Sequence, residues 1–434
     1  MEYNSFTEKQ QQAWNAIMEG TNVFITGPGG SGKSHLINAF VHYFKTSLEN
    51  ESEKIYVTSS TGLSSLLING TTINQYGGIG IFDKENDYYV KRIRRNKVTK
   101  KRWLTTKILI IDEISMVSAH FFEKFDLLAQ KVRKNSSPFG GMQLICSGDF
   151  LQLPPVGSSS EFCFESFSWD ITIQKTFYFH EILRQKDNGF QSILNKIRIG
   201  IVDEEVKKTM DTCYQRVLES KEGIIPTLLF SKKGMVKETN EEHLEKIIQE
   251  GKETYIYESS YVFSKKIQEE AKEGYMELIN HQYSNIENKI VMAKEAQVML
   301  NVNMPEEGLA NGSRGVIIGF SFDEHKNPIV RFLNGKILEM KPHDYKIEEN
   351  NESVIKRQIP LIHAWAITIH KAQGMSLEYI QTDIGSSIFE YGQAYVVLSR
   401  ICNIEGLSLL NIDYSKIKAH PKVLAYYEQL LAKS

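Results

Sequence analysis

The sequence has few cysteines and no long apolar run. Its four cysteines (Cys146, Cys163, Cys213 and Cys402) are scattered through 434 residues without a Cys-x-x-Cys pair. This scatter argues against a zinc site or a disulfide framework and predicts reduced thiols in an intracellular protein. No run of about 18 apolar residues is present to span a bilayer. Residues 1–10 also lack a basic segment followed by an apolar core, so we expect a soluble protein without a secretory signal.

The chain also lacks a large net charge of either sign, since its formal net charge is −2. A site for nucleic acid must therefore come from a local cluster of cations and not from a globally basic chain. At 434 residues the chain is too long for one ordinary hydrophobic core. We therefore expect two main domains.

Short apolar runs alternate with amphipathic segments, a pattern typical of a parallel sheet covered by helices. In the first domain, strands are predicted at residues 23–26, 54–57, 108–111 and 143–146, with a helix at residues 36–44. In the second domain, strands are predicted at residues 227–230, 379–384 and 407–412, with helices at residues 235–249 and 392–400. Residues 289–345 alternate apolar and polar positions between tight turns, which predicts a β-rich insertion.

A glycine-rich loop lies between the first predicted strand and helix. Gly27-Pro-Gly-Gly-Ser-Gly-Lys33-Ser34 matches the pattern G-x-x-x-x-G-K-S. In such a loop, backbone N–H groups and the helix N-terminus bind phosphates. Lys33 is predicted to reach the β and γ phosphates, and Ser34 to bind magnesium. The candidate nucleotide-binding residues of the loop are Gly27, Gly29, Gly30, Ser31, Gly32, Lys33 and Ser34.

A second acidic element follows the apolar run 108–111. Asp112 stands at the predicted end of the strand, where it would hold magnesium, and Glu113 would polarise an attacking water. A lone Asp-Glu pair is more often a solvated turn, but together with the Lys33 loop it predicts a magnesium-dependent ATPase. The chain's Asn-Lys pairs lack the Asp of an Asn-Lys-x-Asp element, which argues against a GTPase. The two domains expected here also argue against a small-molecule kinase, which is usually a single lobe.

The motifs along the chain resemble those of the PIF-family DNA helicases, relatives of RecD and Dda in the 5′-to-3′ branch of superfamily 1. The resemblance extends from residue 6 to residue 412 and rests on segments in the family's order, at residues 6–10, 57–62, 111–116, 148–155, 181–185, 370–374 and 392–400. Its most specific part is Asp187-x-x-Phe-x-x-x-Leu-x-x-x-Arg198-x-Gly200, which is similar to the short signature that separates this family from its cousins.

The resemblance implies a fold class, an activity and site residues. The implied fold is α/β, with two RecA-like P-loop domains, a small insertion in the first and a β-rich, SH3-like insertion in the second. We place these domains at residues 1–185, with 80–103 inserted, and at residues 186–434, with 255–355 inserted. The implied activity is that of a DNA helicase that uses ATP and Mg²⁺ and moves 5′-to-3′. By resemblance, Gln10 would read adenine and Gln152 would link the γ-phosphate to the DNA-facing surface.

Two arginines and one histidine complete the residues implied by the resemblance. Arg184 and Arg400 lie far along the chain from the glycine-rich loop and would stabilise charge on the γ-phosphate, which suggests a cleft closed by a second domain. Outside their motifs, both arginines would be interpreted as surface residues. His370 would contact DNA, although a structural role for this histidine is about equally consistent with the sequence.

A dense basic segment interrupts the first domain. Residues 91–107 contain nine basic residues, Arg94 and Arg95 among them, and no acidic residue. We expect this segment to contact DNA, with Trp103 as an aromatic platform for bases. The alternatives are a solvated surface or a nuclear-import signal. Nearby, Ile79, Ile81 and Phe82 are candidates for an apolar side chain that separates the last base pair.

A polar strand end supplies further candidate DNA contacts. Thr58, Ser60 and Thr61 are expected to form hydrogen bonds with phosphates. The expected partners are single-stranded DNA and forked or tailed duplex DNA, bound by a monomeric motor in a DNA-containing compartment. Two rival functions remain: a translocase that does not separate strands, and a nucleic-acid-responsive ATPase switch that does not translocate.

Overall fold

The computed structural model describes a chain with two compact units. The described residues are 2–47, 54–60, 65, 68, 70–155, 161–185, 187–220, 223–265, 267–283, 286–309, 311–349, 352–373, 375 and 377–432. The first unit comprises residues 1–202, 390–399 and 417–434, and the second comprises residues 203–389 and 400–416. Among the helices of the described residues, none is both long and apolar enough to cross a membrane.

The α-helices of the described residues are numbered in chain order. They are α1 (Glu8–Met18), α2 (Lys33–Ser47), α3 (Ile73–Gly77), α4 (Asn86–Arg95), α5 (Lys97–Thr105), α6 (Ala119–Arg133), α7 (Phe167–Thr172), α8 (Asn188–Arg198), α9 (Glu204–Asp211), α10 (Lys233–Gln249), α11 (Lys272–Gln282), α12 (Ile369–Ala372), α13 (Gln393–Leu398) and α14 (Pro421–Ala432).

The β-strands are numbered in the same way. They are β1 (Val23–Thr26), β2 (Ile55–Ser59), β3 (Thr71–Thr72), β4 (Ile108–Asp112), β5 (Gln143–Ser147), β6 (Lys175–Tyr178), β7 (Thr227–Phe230), β8 (Thr254–Glu258), β9 (Ser260–Phe263), β10 (Lys289–Ala293), β11 (Gln297–Leu300), β12 (Arg314–Phe320), β13 (Pro328–Phe332), β14 (Ile337–Glu339), β15 (His343–Glu349), β16 (Glu352–Gln358), β17 (Leu361–His363), β18 (Ala366–Thr368), β19 (Ile380–Ile384) and β20 (Leu407–Ile412).

The first unit is built on a parallel sheet with the strand order β3-β2-β4-β5-β1-β6. Successive residues of a strand point to opposite faces, so both faces of an apolar strand need cover. In β1, Ile25 packs in the apolar cluster on one face, whereas Phe24 packs in the cluster on the other. The carboxyl ends of β1, β4 and β5 lie at the same edge, which is where ligands bind in sheets of this kind.

The second unit combines a parallel sheet with antiparallel sheets. Its parallel sheet has the order β18-β7-β19-β20. The antiparallel sheets have the orders β14-β13-β12-β11-β17, β15-β16-β9 and β10-β8. The predicted α/β class, with parallel sheet cores and a β-rich segment in the second half, is confirmed. The SH3-like geometry of that segment and the predicted domain boundaries stay predictions.

Candidate functional site

The glycine-rich loop leaves β1 and enters α2 at the carboxyl edge of the first unit's sheet. Gly27 has φ +141°, and a Cβ at this position would collide with the carbonyl oxygen of Phe179. Gly30 has φ +85°, and its Cβ would lie 2.6 Å from the Cβ of Arg184. Only glycine allows both the backbone conformation and the close approach. The loop therefore lies directly against residues 179–184, and the Leu183 N–H donates to the Gly30 carbonyl at 2.8 Å.

Lys33 begins α2 and folds back over this loop. Its Nζ donates to the carbonyl oxygens of Gly27 at 2.8 Å and Pro28 at 2.9 Å. Desolvation lowers the pKa of Lys33 to about 8, although the negative charges of Asp149 and Glu113 act in the opposite direction. The ammonium group is therefore mostly charged at neutral pH, and its hydrogen bonds to the glycine-rich loop hold it in position.

The acidic pair lies at the end of β4, which pairs with β2 and β5 in the sheet. The Ser34 hydroxyl donates to a carboxylate oxygen of the buried Asp112 at 3.5 Å. Burial raises the pKa of Asp112, although several hydrogen bonds and Lys33 lower it. A hydroxyl and a carboxylate are hard oxygen ligands, so these two residues fit magnesium. Glu113 has φ +51°, a strained conformation for a residue with a side chain and one often found at active sites.

Gln10 lies beside the glycine-rich loop at the start of the first unit. Its Oε1 accepts from the Thr7 N–H at 3.0 Å and the Thr7 hydroxyl accepts from the Gln10 N–H, so the two residues form the N-terminal cap of α1. The Gln10 Nε2 donates to the Ser31 carbonyl at 3.5 Å. A Cβ on Gly32 would lie 2.6 Å from this amide nitrogen. The structure thus brings Gln10 to the glycine-rich loop, and its contact with adenine stays a prediction.

Helix α13 packs near the loop within the first unit. The Gly29 N–H donates to the Tyr395 hydroxyl at 2.9 Å. Arg184 donates through Nη1 to the Ser399 carbonyl, also at 2.9 Å. A Cβ on Gly392 would collide with the carbonyl oxygen of the buried Gln152. Arg184 and Gln152 therefore belong to the same cluster as the loop, although Arg184 is distant from the loop in sequence.

Behind the loop lies a buried ion pair that the sequence did not predict. Arg198, from the family signature, donates through Nε and Nη2 to both carboxylate oxygens of Asp149 at 2.8 Å. Burial raises the pKa of Asp149, but the charge and hydrogen bonds of Arg198 outweigh this effect, so the pKa is lowered. Arg198 thus orients α8 by an ion pair inside the first unit. The only sequence signal for a role of Asp149 was its position in the motif at residues 148–155, which also contains Gln152.

Arg400 and His370 belong to the second unit. The buried Arg400 accepts a hydrogen bond from the Leu377 N–H at its backbone carbonyl, at a distance of 2.9 Å. His370 is exposed in the short helix α12, which follows β18. Their predicted contacts with γ-phosphate and DNA stay predictions.

The candidate DNA contacts at the end of β2 differ in accessibility. Thr58 is buried, and its hydroxyl donates to the Ile110 carbonyl of the neighbouring strand at 2.7 Å. This side chain is therefore unavailable to a phosphate, because β2 pairs with β4 at this position. The half-buried Ser60 donates to the Glu113 carbonyl at 3.0 Å. Thr61 lies outside the described residues.

The basic segment forms much of α4 and α5, and most of its cations are exposed. Arg94 and Arg95 are exposed, as expected for a DNA-binding surface. The prediction that Trp103 is an aromatic platform is wrong. Trp103 is fully buried, with its ring centroid 5.2 Å from those of Tyr76 and Phe125, and its indole N–H donates to the Gly77 carbonyl. The ring instead belongs to the apolar cluster of the first unit and packs the insertion against α6.

The three candidates for strand separation also differ in exposure. Ile79 and Phe82 are buried in the apolar cluster of the first unit. Ile81 is 83% exposed and follows Gly80, at which an added Cβ would meet no atom within 4 Å. Within the described residues, Ile81 is therefore the candidate that can reach a base pair.

Comparison with known proteins shows the family to which the chain belongs. The family model described as PIF1-like helicase matches residues 5–208. The ATP-dependent DNA helicase PIF1 of Xenopus laevis is 37% identical over 428 residues, which cover 97% of this chain and 64% of the relative. The chain thus spans less than two thirds of that relative's length.

Solved structures are similar to almost the whole chain. The crystal structure of the Pif1 helicase from Bacteroides in complex with ADP-AlF3 and ssDNA is 25% identical, with a TM-score of 0.65 and coverage of 99% of this chain and 97% of that one. The crystal structure of the Pif1 helicase from Candida albicans has a TM-score of 0.81. Since that helicase is 33% identical and the match covers 98% of this chain and 99% of that one, the chain belongs to the PIF1-like helicase family.

Proposed function

We propose that the protein is an ATP-dependent DNA helicase that moves 5′-to-3′ on single-stranded DNA and unwinds duplex DNA. The observation that carries this proposal is the cluster of Lys33, Ser34, Asp112, Gln152 and Arg184 in one unit with a parallel sheet. It is supported by relatives named ATP-dependent DNA helicase and by a Bacteroides relative solved with ADP-AlF3 and ssDNA.

In the proposed reaction, the glycine-rich loop binds the ATP phosphates through its backbone N–H groups. The Lys33 ammonium leaves the Gly27 and Pro28 carbonyls and binds the β and γ phosphates, because phosphate oxygens are stronger acceptors for a cation. Ser34 and Asp112 would hold Mg²⁺, which neutralises phosphate charge when it is bound. Gln10 would hold the adenine at the same loop.

The hydrolytic step would use groups on either side of the γ-phosphate. Glu113, which has a left-handed backbone conformation, would accept a proton from the attacking water. Gln152 would link the γ-phosphate to the DNA-facing surface. Arg184 and Arg400 stabilise the charge that develops on the transferring phosphoryl group. Arg400 belongs to the second unit, and its contribution is proposed to depend on bound DNA.

The DNA would be bound mainly through its backbone. The exposed cations of α4 and α5, including Arg94 and Arg95, neutralise phosphates, and Ser60 and His370 add contacts that position the strand. Ile81 is the apolar side chain proposed to meet the fork. We propose a monomeric motor acting on tailed or forked duplex in a DNA-containing compartment.

The test is steady-state ATP hydrolysis with and without single-stranded DNA, in Mg²⁺ and after chelation with EDTA. We expect hydrolysis that requires Mg²⁺ and increases strongly with DNA, because DNA helps to position the arginines. Lys33→Ala should abolish hydrolysis, whereas Lys134→Ala, which changes an exposed cation at the end of α6, should not. Equal hydrolysis with and without DNA would contradict coupling between ATP and DNA.

A further inference from the structure

The last helix of the described chain packs against the first unit. Helix α14 buries Val423 and Tyr427 in the same apolar cluster as Phe24 and Phe150. The ring of Tyr426 stacks on Phe164, with ring centroids 4.2 Å apart and an interplanar angle of 15°. These contacts anchor α14 through apolar area and ring stacking, and they do not depend on the Tyr427 hydroxyl.

The Tyr427 hydroxyl is buried at the junction of two functional segments. It lies 2.6 Å from the Thr26 hydroxyl, and Thr26 is the last residue of β1, directly before the nucleotide loop. It also accepts from the Phe150 N–H at 3.1 Å and donates to a carboxylate oxygen of Asp149 at 3.2 Å. Phe150 lies two residues before Gln152.

The hydrogen-bond capacity of these groups fixes the direction of each bond. A carboxylate with no proton only accepts, so the single hydroxyl hydrogen of Tyr427 is directed to Asp149. The Thr26 hydroxyl must then donate to Tyr427, whose oxygen accepts from both Thr26 and Phe150. The three hydrogen bonds of the Tyr427 hydroxyl therefore link the end of β1 to the loop after β5.

The same junction is connected to the signature helix. Arg198 forms two hydrogen bonds with Asp149 and donates through Nη1 to the Tyr178 hydroxyl at 2.6 Å. Its guanidinium carbon lies 5.2 Å from the ring centroid of Tyr427. The tyrosine thus contacts Asp149 through its hydroxyl and Arg198 through its ring.

We propose that Tyr427 is a positioning residue for ATP hydrolysis, which acts through Thr26 and Phe150 to hold the Lys33 loop and Gln152 in register. This proposal rests on the proposed ATPase function. Tyr427 is buried, and we assign it no direct contact with nucleotide. Ground-state binding of ATP depends mainly on the loop, whereas hydrolysis also requires Gln152 at the correct distance from the γ-phosphate. Loss of the hydroxyl should therefore reduce kcat and leave KM for ATP nearly unchanged.

The test compares purified full-length variants at saturating single-stranded DNA. We expect Tyr427→Phe to lower kcat by roughly tenfold, with KM for ATP within about twofold of wild type. Tyr426→Phe is the matched control, since its hydroxyl bonds with Trp169 and not with the loop, and it should behave as wild type. Thr26→Val should reproduce the defect, Thr26→Ser should restore wild-type kcat, and Tyr427→Phe combined with Thr26→Val should be no worse than either change alone.

A second readout separates this proposal from the helicase proposal. The affinity for ADP with aluminium fluoride, relative to ADP alone, reports how well the site fits a transferring phosphoryl group, and it needs no turnover. We expect this ratio of affinities to be roughly tenfold lower in Tyr427→Phe than in the wild-type protein. A wild-type protein that binds nucleotide without DNA-stimulated hydrolysis would refute the helicase proposal, while this ratio would still test the tyrosine. Unchanged kcat and an unchanged ratio in Tyr427→Phe, or an equal defect in Tyr426→Phe, would overturn the positioning role.

Discussion

At the scale of single residues, the nucleotide loop was predictable because its function depends on consecutive positions. Gly27, Lys33 and Ser34 occupy positions that one local pattern specifies, and the structure brings them to the sheet edge with Asp112. Thr58 could not be assigned in this way. Its hydroxyl bonds with Ile110, which is 52 residues away, and no local pattern shows that β2 and β4 are neighbours.

We expect Arg184→Ala and Arg400→Ala each to retain nucleotide binding while losing roughly 10³-fold or more in kcat, because such arginines act mainly on the transition state. Nucleotide affinity and steady-state hydrolysis are the two measurements. Arg357→Ala is the control, since this arginine pairs with Asp344 and is half exposed. Equal losses of binding and hydrolysis would show that the arginines hold the ground state instead.

At the scale of elements, the sequence predicted the buried strands well and the basic insertion less well. The apolar runs around Ile110 and Ile145 lie within one or two residues of the observed strands because both faces are buried. In the insertion, the many cations obscured an amphipathic pattern. Val90 and Ile93 face the core beside the exposed Arg92 and Arg94, and Trp103 completes that core.

The insertion gives a prediction about salt. Alanine at five exposed cations (Arg92, Arg94, Arg95, Lys100 and Lys101) should weaken DNA binding and reduce the salt slope by up to about 3 to 4, since each phosphate contact with single-stranded DNA contributes roughly 0.7. Unwinding should fall, while ATPase at saturating DNA stays near wild type. The measurement is binding, ATPase and unwinding of one preparation over a salt series. An unchanged slope would mean that the segment is a solvated surface or a targeting signal.

A substitution at Ile81 complements the alanine substitutions of the cations, because it changes no charge. Ile81→Ala removes the exposed apolar side chain and leaves every cation in place, so binding and its salt slope should match wild type. Unwinding of duplex should fall while hydrolysis on single strands is retained. Normal unwinding would exclude Ile81 as the group that separates base pairs.

At the scale of the whole molecule, segments that are distant in sequence pack into the first unit and determine which residues share a site. Residues 390–399 and 417–434 join the first unit from the far end of the chain. This return brings Tyr395 to Gly29 and Tyr427 to Thr26. No local pattern predicts these contacts, since the tyrosines and their partners are hundreds of residues apart in sequence.

The central claim is that this ATP site drives directional movement on DNA. Unwinding of a duplex with a 5′ single-stranded tail, compared with the same duplex with a 3′ tail, tests it most directly in the presence of ATP and Mg²⁺. We predict that the 5′-tailed duplex is opened and the 3′-tailed duplex is not, and that Lys33→Ala opens neither. Preferential opening of the 3′-tailed duplex would contradict the direction, and ATP hydrolysis without opening of either would contradict the helicase activity.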